Sequence, residues 1–280
     1  AMPYVEIASI DDRRLEPYRN LKFTSEMRRA RLFVAEGDKL VRRLLHSKFR
    51  AHSVLAGEAF LAARDLEIPP DVTTLVAPDS LLREIVGFKF HRGVLACGFR
   101  GTERCLSEVL DQISAATGSS TTKEATSLMA VVVCIDIQDP TNLGTILRTA
   151  EAFGVAAVVL GGDCADPFSR RVLRVSMGAP FQLPMVWSND LAVDLVALRE
   201  RCQMTLLSAV ASAAGEPLDR FERLDRLAIL LGNESNGLSD QWIDLCDRRV
   251  TIPMNPQADS LNVAVATGIL LYHFCKPAPR

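Results

Sequence analysis

Several features that would place this sequence in a membrane or secretory class are missing. The longest apolar runs, residues 128–135 and a stretch near the C-terminus, are shorter than a membrane span requires. The first residues show no basic segment followed by an apolar one, which is the pattern of a secretory signal. We therefore expect a cytoplasmic protein that does not enter a membrane.

The cysteines and histidines form no recognisable framework. The seven cysteines are odd in number and scattered, without a C-x-x-C pair, and the four histidines show no ligand spacing. This usage is typical of reduced thiols inside a cell. We expect neither disulfides nor a bound metal.

Three common active-site signatures are also absent. No G-x-G-x-x-G follows a strand, and neither G-x-x-x-x-G-K-[ST] nor G-x-S-x-G occurs. These absences disfavour a dinucleotide site, a phosphate-binding P-loop and a serine-hydrolase elbow. One alternative is a nucleotide-dependent oxidoreductase on a doubly wound sheet. The absence of the G-x-G-x-x-G motif argues against it.

The net charge of −2 is small, but the charges are unevenly distributed. Residues 1–100 carry 17 Lys and Arg against 13 Asp and Glu, whereas residues 101–280 carry 15 against 21. The early excess includes Arg28, Arg29, Arg31 and Arg42. A basic surface of this kind favours binding of RNA through these arginines, although a solvated helix face would explain any single cluster.

The sequence predicts two α/β domains joined by a linker. Residues 1–112 alternate short strand-like and helical runs, and residues 113–127 are small, polar and without pattern. Residues 128–280 open with a continuous apolar run, typical of a strand buried on both faces. We expect a mostly parallel sheet there, with ligands at the carboxyl ends of its strands.

Three predicted strand ends in the second domain carry polar residues. The first leads into a helix in which Asn142 lies where an N-cap is expected and Arg148 lies opposite the apolar stripe. The second holds Glu234 between Gly232 and Gly237, which permit close backbone approach or positive φ. Taken singly, each is also explained as a capped helix, an exposed arginine or a plain turn.

The third strand end leads into the last helix. Asp259 and Ser260 are favourable N-cap residues, so the sequence predicts a helix that begins at Ser260. Apolar residues cover every side of this helix, which predicts burial all round. Ser260 and Asn262 lie at its first turn, where a ligand can meet a helix N-terminus.

Together the three segments resemble the SpoU-type (TrmH-like) RNA ribose 2′-O-methyltransferases of the SPOUT class. The matching segments are Asp139-Pro-x-Asn142-x-Gly144-x-x-x-Arg148, Gly232-x-Glu234-x-x-Gly237 and Ile252-Pro-Met254…Ser260-Leu-Asn-Val263. Ala264 departs from the family pattern, in which Ser is common after Asn-Val. The resemblance is strong over residues 128–275 and weaker over residues 1–100, which look like the family's ribosomal-protein-like substrate-binding domain.

The resemblance implies a trefoil-knotted methyltransferase domain that works as a homodimer and binds S-adenosylmethionine. Its target would be a ribose 2′-hydroxyl of structured RNA, with rRNA favoured over tRNA; a non-catalytic RNA- or ribosome-binding protein on the same fold is a further alternative. The implied catalytic residues are Arg148, Asn142, Glu234, Ser260 and Asn262. The implied cofactor-binding residues are Gly232, Asn233, Ile252, Met254, Leu261 and Leu207.

The role of Arg148 has two interpretations. The family proposal makes this arginine the general base, but a free guanidinium holds its proton at any ordinary pH. A clamp on the adjacent phosphate, which orients the hydroxyl and stabilises developing negative charge, is the physically simpler role. Glu234 or a water would then accept the proton, and the sequence leaves this choice open.

Overall fold

A computed structural model describes residues 4–19, 24–63, 66–86, 93–101, 105–111, 129–211 and 214–275. The chain forms two compact units. The first consists of Ala1–Thr102 with Asp166–Gln182, and the second of Glu103–Ala165 with Leu183–Arg280. The predicted linker, 113–127, lies outside the described residues, so the predicted boundaries of the domains stay predictions.

The strands and helices are numbered along the chain. The strands are β1 Tyr4–Glu6, β2 Leu32–Glu36, β3 Ala51–Gly57, β4 Thr73–Ala77, β5 Val94–Phe99, β6 Met129–Ile135, β7 Ala157–Gly161, β8 Met185–Trp187, β9 Thr205–Ala209, β10 Glu216–Pro217, β11 Arg226–Leu231 and β12 Arg248–Thr251. The α-helices are α1 Thr24–Arg29, α2 Asp38–Leu45, α3 Glu58–Ala63, α4 Asp79–Val86, α5 Pro140–Ala152, α6 Arg170–Val175, α7 Leu191–Cys202, α8 Asp240–Leu245 and α9 Val263–Cys275. Residues 106–111 are also helical, and short 3-10 turns occur at Arg13–Tyr18, Ala179–Phe181 and Leu218–Arg220.

The second unit contains a parallel sheet of seven strands in the order β10-β12-β9-β11-β6-β7-β8. Its central strand β6 is buried along its whole length, as the apolar run at residues 128–135 predicts. The neighbours of β6 are β11 and β7, so the segments after these three strands emerge at one edge of the sheet. The predicted α/β class with a parallel sheet is therefore observed.

The first unit contains a mixed sheet of five strands in the order β1-β4-β3-β5-β2, in which β5 runs antiparallel to both its neighbours. Residues 166–182 pack with this unit although they lie within the predicted second domain. Phe168 and Phe181 contact Phe33 with ring centroids 5.1 and 5.5 Å away. Arg100 also binds Asp166 through two hydrogen bonds of 2.8 and 2.6 Å.

Both predicted helix starts near the strand ends need correction. Asp139, and not Asn142, caps α5, because its carboxylate accepts from the backbone N–H of Asn142 at 3.1 Å. The last helix begins at Val263 instead of Ser260. The Asn262 side chain accepts from the N–H groups of Ala264 and Val265 at 2.9 and 3.3 Å. Both caps leave the preceding loop free of helical structure.

The last helix is buried on one side only in the single chain, so burial of its other side by a second subunit stays a prediction. Thr267, Leu270 and Phe274 are each about 1% exposed. On the other side Val265, Ile269 and Tyr272 are 52, 37 and 56% exposed. Among the described residues, no helix is both long and apolar enough to cross a membrane.

Candidate active site at the carboxyl edge of the parallel sheet

A cavity of about 550 Å³ lies in the second unit, where β9, β11 and β12 end. Two chain segments form most of its wall: the loop after β11 and the segment between β12 and α9. Its lining residues are Ala209–Ala211, Leu231–Leu238, Ile243, Val250, Ile252, Met254, Ser260–Val263, Ala266 and Leu270. The cavity is therefore bounded by the second and third of the three polar strand ends that the sequence singles out.

Three polar side chains from three strand ends form a hydrogen-bonded chain beside this cavity. Asn262 Nδ2 donates to Asn142 Oδ1 at 2.9 Å, and Asn142 Nδ2 donates to Glu234 Oε1 at 3.0 Å. The side-chain oxygen of Asn262, Oδ1, accepts from backbone N–H groups at the start of α9. The orientation of both side-chain amides is therefore fixed, and in each the NH2 group points towards the Glu234 end of this series of hydrogen bonds.

The loop that carries Glu234 closes on itself. A Cβ at Gly232 would overlap the backbone of Gly237 and the N–H of Leu238, so only glycine fits at the start of the loop. Gly237 has a φ of +68°, which suits glycine at the end of the loop. This tight geometry presents the intervening residues, including Glu234, to the cavity.

Arg148 lies apart from this hydrogen-bonded chain. It is exposed on α5, and among the described residues it has no hydrogen bond or ion pair. It lies six positions after Asn142, or about 9 Å along the helix axis at 1.5 Å per residue. Its guanidinium is consequently available to a group that approaches from solvent.

Comparison with known proteins identifies the family. Residues 129–272 match the model of the SpoU rRNA methylase family. This chain belongs to that family. The resemblance found in the three sequence motifs is thereby confirmed.

Similar proteins cover nearly the whole chain. An uncharacterised tRNA/rRNA methyltransferase of Mycobacterium tuberculosis is 32% identical, over 95% of this chain and 90% of the relative. The 23S rRNA (guanosine(2553)-2′-O)-methyltransferase RlmP of Bacillus subtilis is 29% identical, over 96% of this chain and 98% of the relative. A solved structure from Porphyromonas gingivalis, assigned to the TrmH family of RNA methyltransferases, has a TM-score of 0.76 at 26% identity, over 95% of this chain and 98% of its own.

Most of the residues that the family resemblance implies as cofactor ligands line the cavity. Gly232, Asn233, Ile252, Met254 and Leu261 all do so, as does the implied catalytic residue Ser260. Leu207 does not line it. This residue is fully buried in the middle of β9, where it pairs with Ile229 and Arg248 in the neighbouring strands.

The prediction chose the wrong residue of β9 for the site of this SpoU-family chain. Residues Ala209, Val210 and Ala211, at and after the end of β9, line the cavity in place of Leu207. The signal was available in principle, because a parallel strand beside β11 must end at the same edge of the sheet. What the sequence did not provide is the order of the strands.

A cysteine lies near the carboxylate of Glu234 but is unsuited to nucleophilic chemistry. Cys134 is fully buried in β6, and burial raises the pKa of its thiol well above the ordinary value. The nearby Glu234 adds a smaller effect in the same direction. The thiolate is the nucleophilic form, so a thiol held protonated at neutral pH is a poor nucleophile.

The arginines predicted to bind RNA lie in the first unit. Arg28 and Arg29 are exposed on α1, and Arg31 is exposed just before β2. Arg42 is half-buried on α2, where its guanidinium forms a 2.6 Å ion pair with Asp38. Three of the four side chains therefore face solvent, while the charge of Arg42 is offset by a neighbouring carboxylate.

Proposed function

We propose that this SpoU-family chain is an S-adenosylmethionine-dependent methyltransferase that modifies a ribose 2′-hydroxyl of structured ribosomal RNA. The observation that carries the proposal is the chain of hydrogen bonds from Asn262 through Asn142 to Glu234. It joins all three family motifs beside a single cavity. The full-length likeness to RlmP, whose name states 23S rRNA 2′-O-methylation, supports ribosomal RNA as the substrate.

The cavity suits S-adenosylmethionine in size and in lining. Its volume of about 550 Å³ lies within the usual range for small-molecule sites, roughly 300–1,000 Å³. Ile252, Met254 and Leu261 supply apolar contacts, and Gly232 lets the loop after β11 close tightly beside the cavity. When bound, the cofactor supplies an electrophilic methyl group on sulfonium.

Glu234 is the proposed proton acceptor. Its Oε1 accepts from Asn142, and its carboxylate faces the cavity, where a ribose hydroxyl can donate to the other oxygen. When the ribose 2′-hydroxyl accepts the methyl group that the cofactor would supply, Glu234 would take up the hydroxyl proton on its carboxylate. A positioned base of this type contributes typically 10²–10⁴-fold to the rate.

Arg148 has the complementary role of a phosphate clamp. Its guanidinium is exposed and presents the planar fork that grips a phosphate oxygen pair. A clamp orients the ribose hydroxyl and stabilises negative charge that develops on its oxygen. The guanidinium keeps its own proton throughout.

A second copy of this chain is proposed to cover the exposed side of α9. Val265, Ile269 and Tyr272 recur at i, i+4 and i+7 on this helix and form one apolar stripe, each residue at least 37% exposed. Stripes of this kind mark protein interfaces. The proposed assembly is a homodimer of knotted methyltransferase domains, in which the segment after β12 forms part of a trefoil knot.

The remaining proposals concern the substrate surface and the compartment. Arg28, Arg29, Arg31 and Arg42 of the first unit would contact the phosphate backbone of the RNA, which is where Lys and Arg contribute most affinity. All seven cysteines are free. Free thiols accord with a cytoplasmic location.

The proposed activity is tested by methyl transfer in vitro. The full-length chain is incubated with S-adenosylmethionine that carries a radiolabelled methyl group, with either ribosomal RNA or transfer RNA, and the RNA is digested to nucleosides. We expect label in a 2′-O-methylated nucleoside from ribosomal RNA. Label confined to a base, or to transfer RNA, would contradict the proposal.

A further inference from the structure

The side chain of Asn233 is engaged in shaping the loop that carries Glu234. Its Nδ2 donates to the carbonyl of Asp136 at 2.9 Å. Its Oδ1 accepts from the N–H groups of Ser235 and Asn236 at 2.9 and 3.3 Å. The side-chain amide is therefore held from both ends, in the manner of an Asn that stabilises a turn.

The backbone of Asn233 completes the same turn. Its carbonyl accepts from Gly237 N at 2.9 Å, and the two residues form an antiparallel bridge. The close approach of Gly232 to Gly237 brings both ends of the loop together. The loop is thus a closed ring with Asn233 at its base, and the placement of Glu234 depends on that base.

Asp136 anchors the ring from the neighbouring strand. It follows β6 directly and has a φ of +56°, in the left-handed region that Asp tolerates better than most residues. Its Oδ1 accepts from Asp163 N at 2.8 Å, and a Cβ at Gly162 would overlap that carboxylate. Asp136 is consequently locked between the loop after β7 and the loop after β11.

We infer that Asp136 and Asn233 are positioning residues, which hold the Glu234 loop in register with Asn142 on α5. This inference rests on the proposed function, because it assigns their effect to the proton acceptor. The bond from Asn142 Nδ2 to Glu234 Oε1 is 3.0 Å long, so a shift of the loop by 1 Å would break it. Such a misplacement of a reacting group can cost on the order of 10²-fold in rate.

The hydrogen bonds of Asn233 also distinguish a positioning role for its side chain from a role in binding the cofactor. Both acceptor positions of Oδ1 and one Nδ2 hydrogen are used within the protein. A side chain that bound the cofactor would change the dissociation constant of S-adenosylmethionine when truncated. A positioning side chain would instead lower kcat.

The test compares Asn233→Ala with Asn189→Ala. Asn189 is a control of the same residue type in the same unit, since it is exposed after β8 and is not among the residues that line the cavity. We expect Asn233→Ala to lower kcat on the order of 100-fold, with the dissociation constant of S-adenosylmethionine changed less than about threefold. We expect Asn189→Ala to change both by less than about threefold.

A double-mutant cycle distinguishes positioning from a general loss of structure. If Asn233 acts through Glu234, adding Asn233→Ala to Glu234→Gln costs less than about threefold further in kcat. A full, multiplicative loss in the double variant would overturn the inference, as would equal losses in Asn233→Ala and Asn189→Ala. Asp136→Asn keeps the acceptor and tolerates positive φ, so it should retain most of the activity that Asp136→Val loses.

A measurement without turnover keeps the inference separate from the proposed function. Hydrogen exchange of the Ser235 and Asn236 amides should be at least tenfold faster in Asn233→Ala than in the parent, and unchanged in Asp136→Asn. If the parent transfers no methyl group, the proposed function fails while this result still supports the ring. Unchanged exchange in Asn233→Ala would overturn the inference whatever the activity.

Discussion

The two units of the chain are both α/β, but their strands run differently. In the second unit all seven strands are parallel, so the segments after β6, β9, β11 and β12 emerge at one edge. In the first unit β5 runs against both neighbours, so the carboxyl ends of its strands are divided between two edges. The three motifs and the cavity lie at the carboxyl edge of the parallel sheet. They lie close together because the strands of this sheet all run in the same direction.

The units differ in charge as well. The basic excess lies in the first hundred residues and the acidic excess in the remainder. We therefore assign methyl transfer to the second unit and much of the RNA affinity to the first. Substitutions that change only one of these two properties test this assignment.

The largest effect is expected from Arg148→Ala in the second unit. Because Arg148 is exposed, its replacement by Ala should change the free energy of unfolding by only about ±0.5 kcal/mol. Loss of one positioned donor at developing charge typically costs 10²–10³-fold in rate, and a lost phosphate clamp adds to this. The prediction is checked by measuring turnover on one RNA substrate, together with thermal unfolding, for the parent, Arg148→Ala and Arg148→Lys.

The lysine variant reports on the role of Arg148. Lysine keeps the charge and loses the planar fork, so a clamp predicts a partial loss in Arg148→Lys. A residue that acted as the base would work as well or better as lysine at neutral pH. Turnover by Arg148→Ala at the parental rate would remove Arg148 from the site.

A somewhat smaller effect is expected where the chain of amides is interrupted. In Asn142→Asp the donor to Glu234 becomes a second carboxylate of nearly the same shape, so repulsion should displace Glu234 and lower kcat by about 10²-fold. Thr145→Ala is the control, because that hydroxyl donates only to the carbonyl of Thr141 in its own helix. Steady-state kinetics of both variants would show the difference, and equal rates would contradict it.

Several parts of this site could be predicted from the sequence. The buried run of β6 and the polar residues after β6, β11 and β12 were identified from apolar continuity and residue type. The start of α9 was not, because Asp259, Ser260 and Asn262 are all good capping residues and only their geometry selects Asn262. The partnership of residues 166–182 with the first unit was also missed, since ion pairs such as Arg170 with Glu36 join residues far apart in sequence.

The apolar stripe on α9 gives a prediction about assembly. Ile269→Asp places a charge in the proposed interface and should convert a dimer into a monomer, because a buried unpaired charge is strongly disfavoured. Val193→Asp is the control, since Val193 is 62% exposed on α7 of the same unit. Light scattering at micromolar concentration measures the mass of each. A parent that is monomeric and fully active would contradict the homodimer.

The smallest effect is expected from the first unit. Replacing Arg28 and Arg29 by Ala should weaken RNA binding several-fold and lower the slope of log K against log salt by about 0.7–0.9 for each lost phosphate contact. S-adenosylmethionine affinity should be unchanged. Titrations of RNA at several salt concentrations test this, and an unaltered slope would argue against these two arginines as phosphate contacts.

The proposal that this protein methylates a ribose 2′-hydroxyl of ribosomal RNA can be tested in cells. The measurement is a map of ribose 2′-O-methylation across all RNA of cells that contain or lack the protein. Complementation with the parent and with Arg148→Ala completes the measurement. We predict that a ribose methyl group in ribosomal RNA disappears without the protein, returns with the parent and stays absent with Arg148→Ala. An unchanged map, or full restoration by Arg148→Ala, would contradict the account.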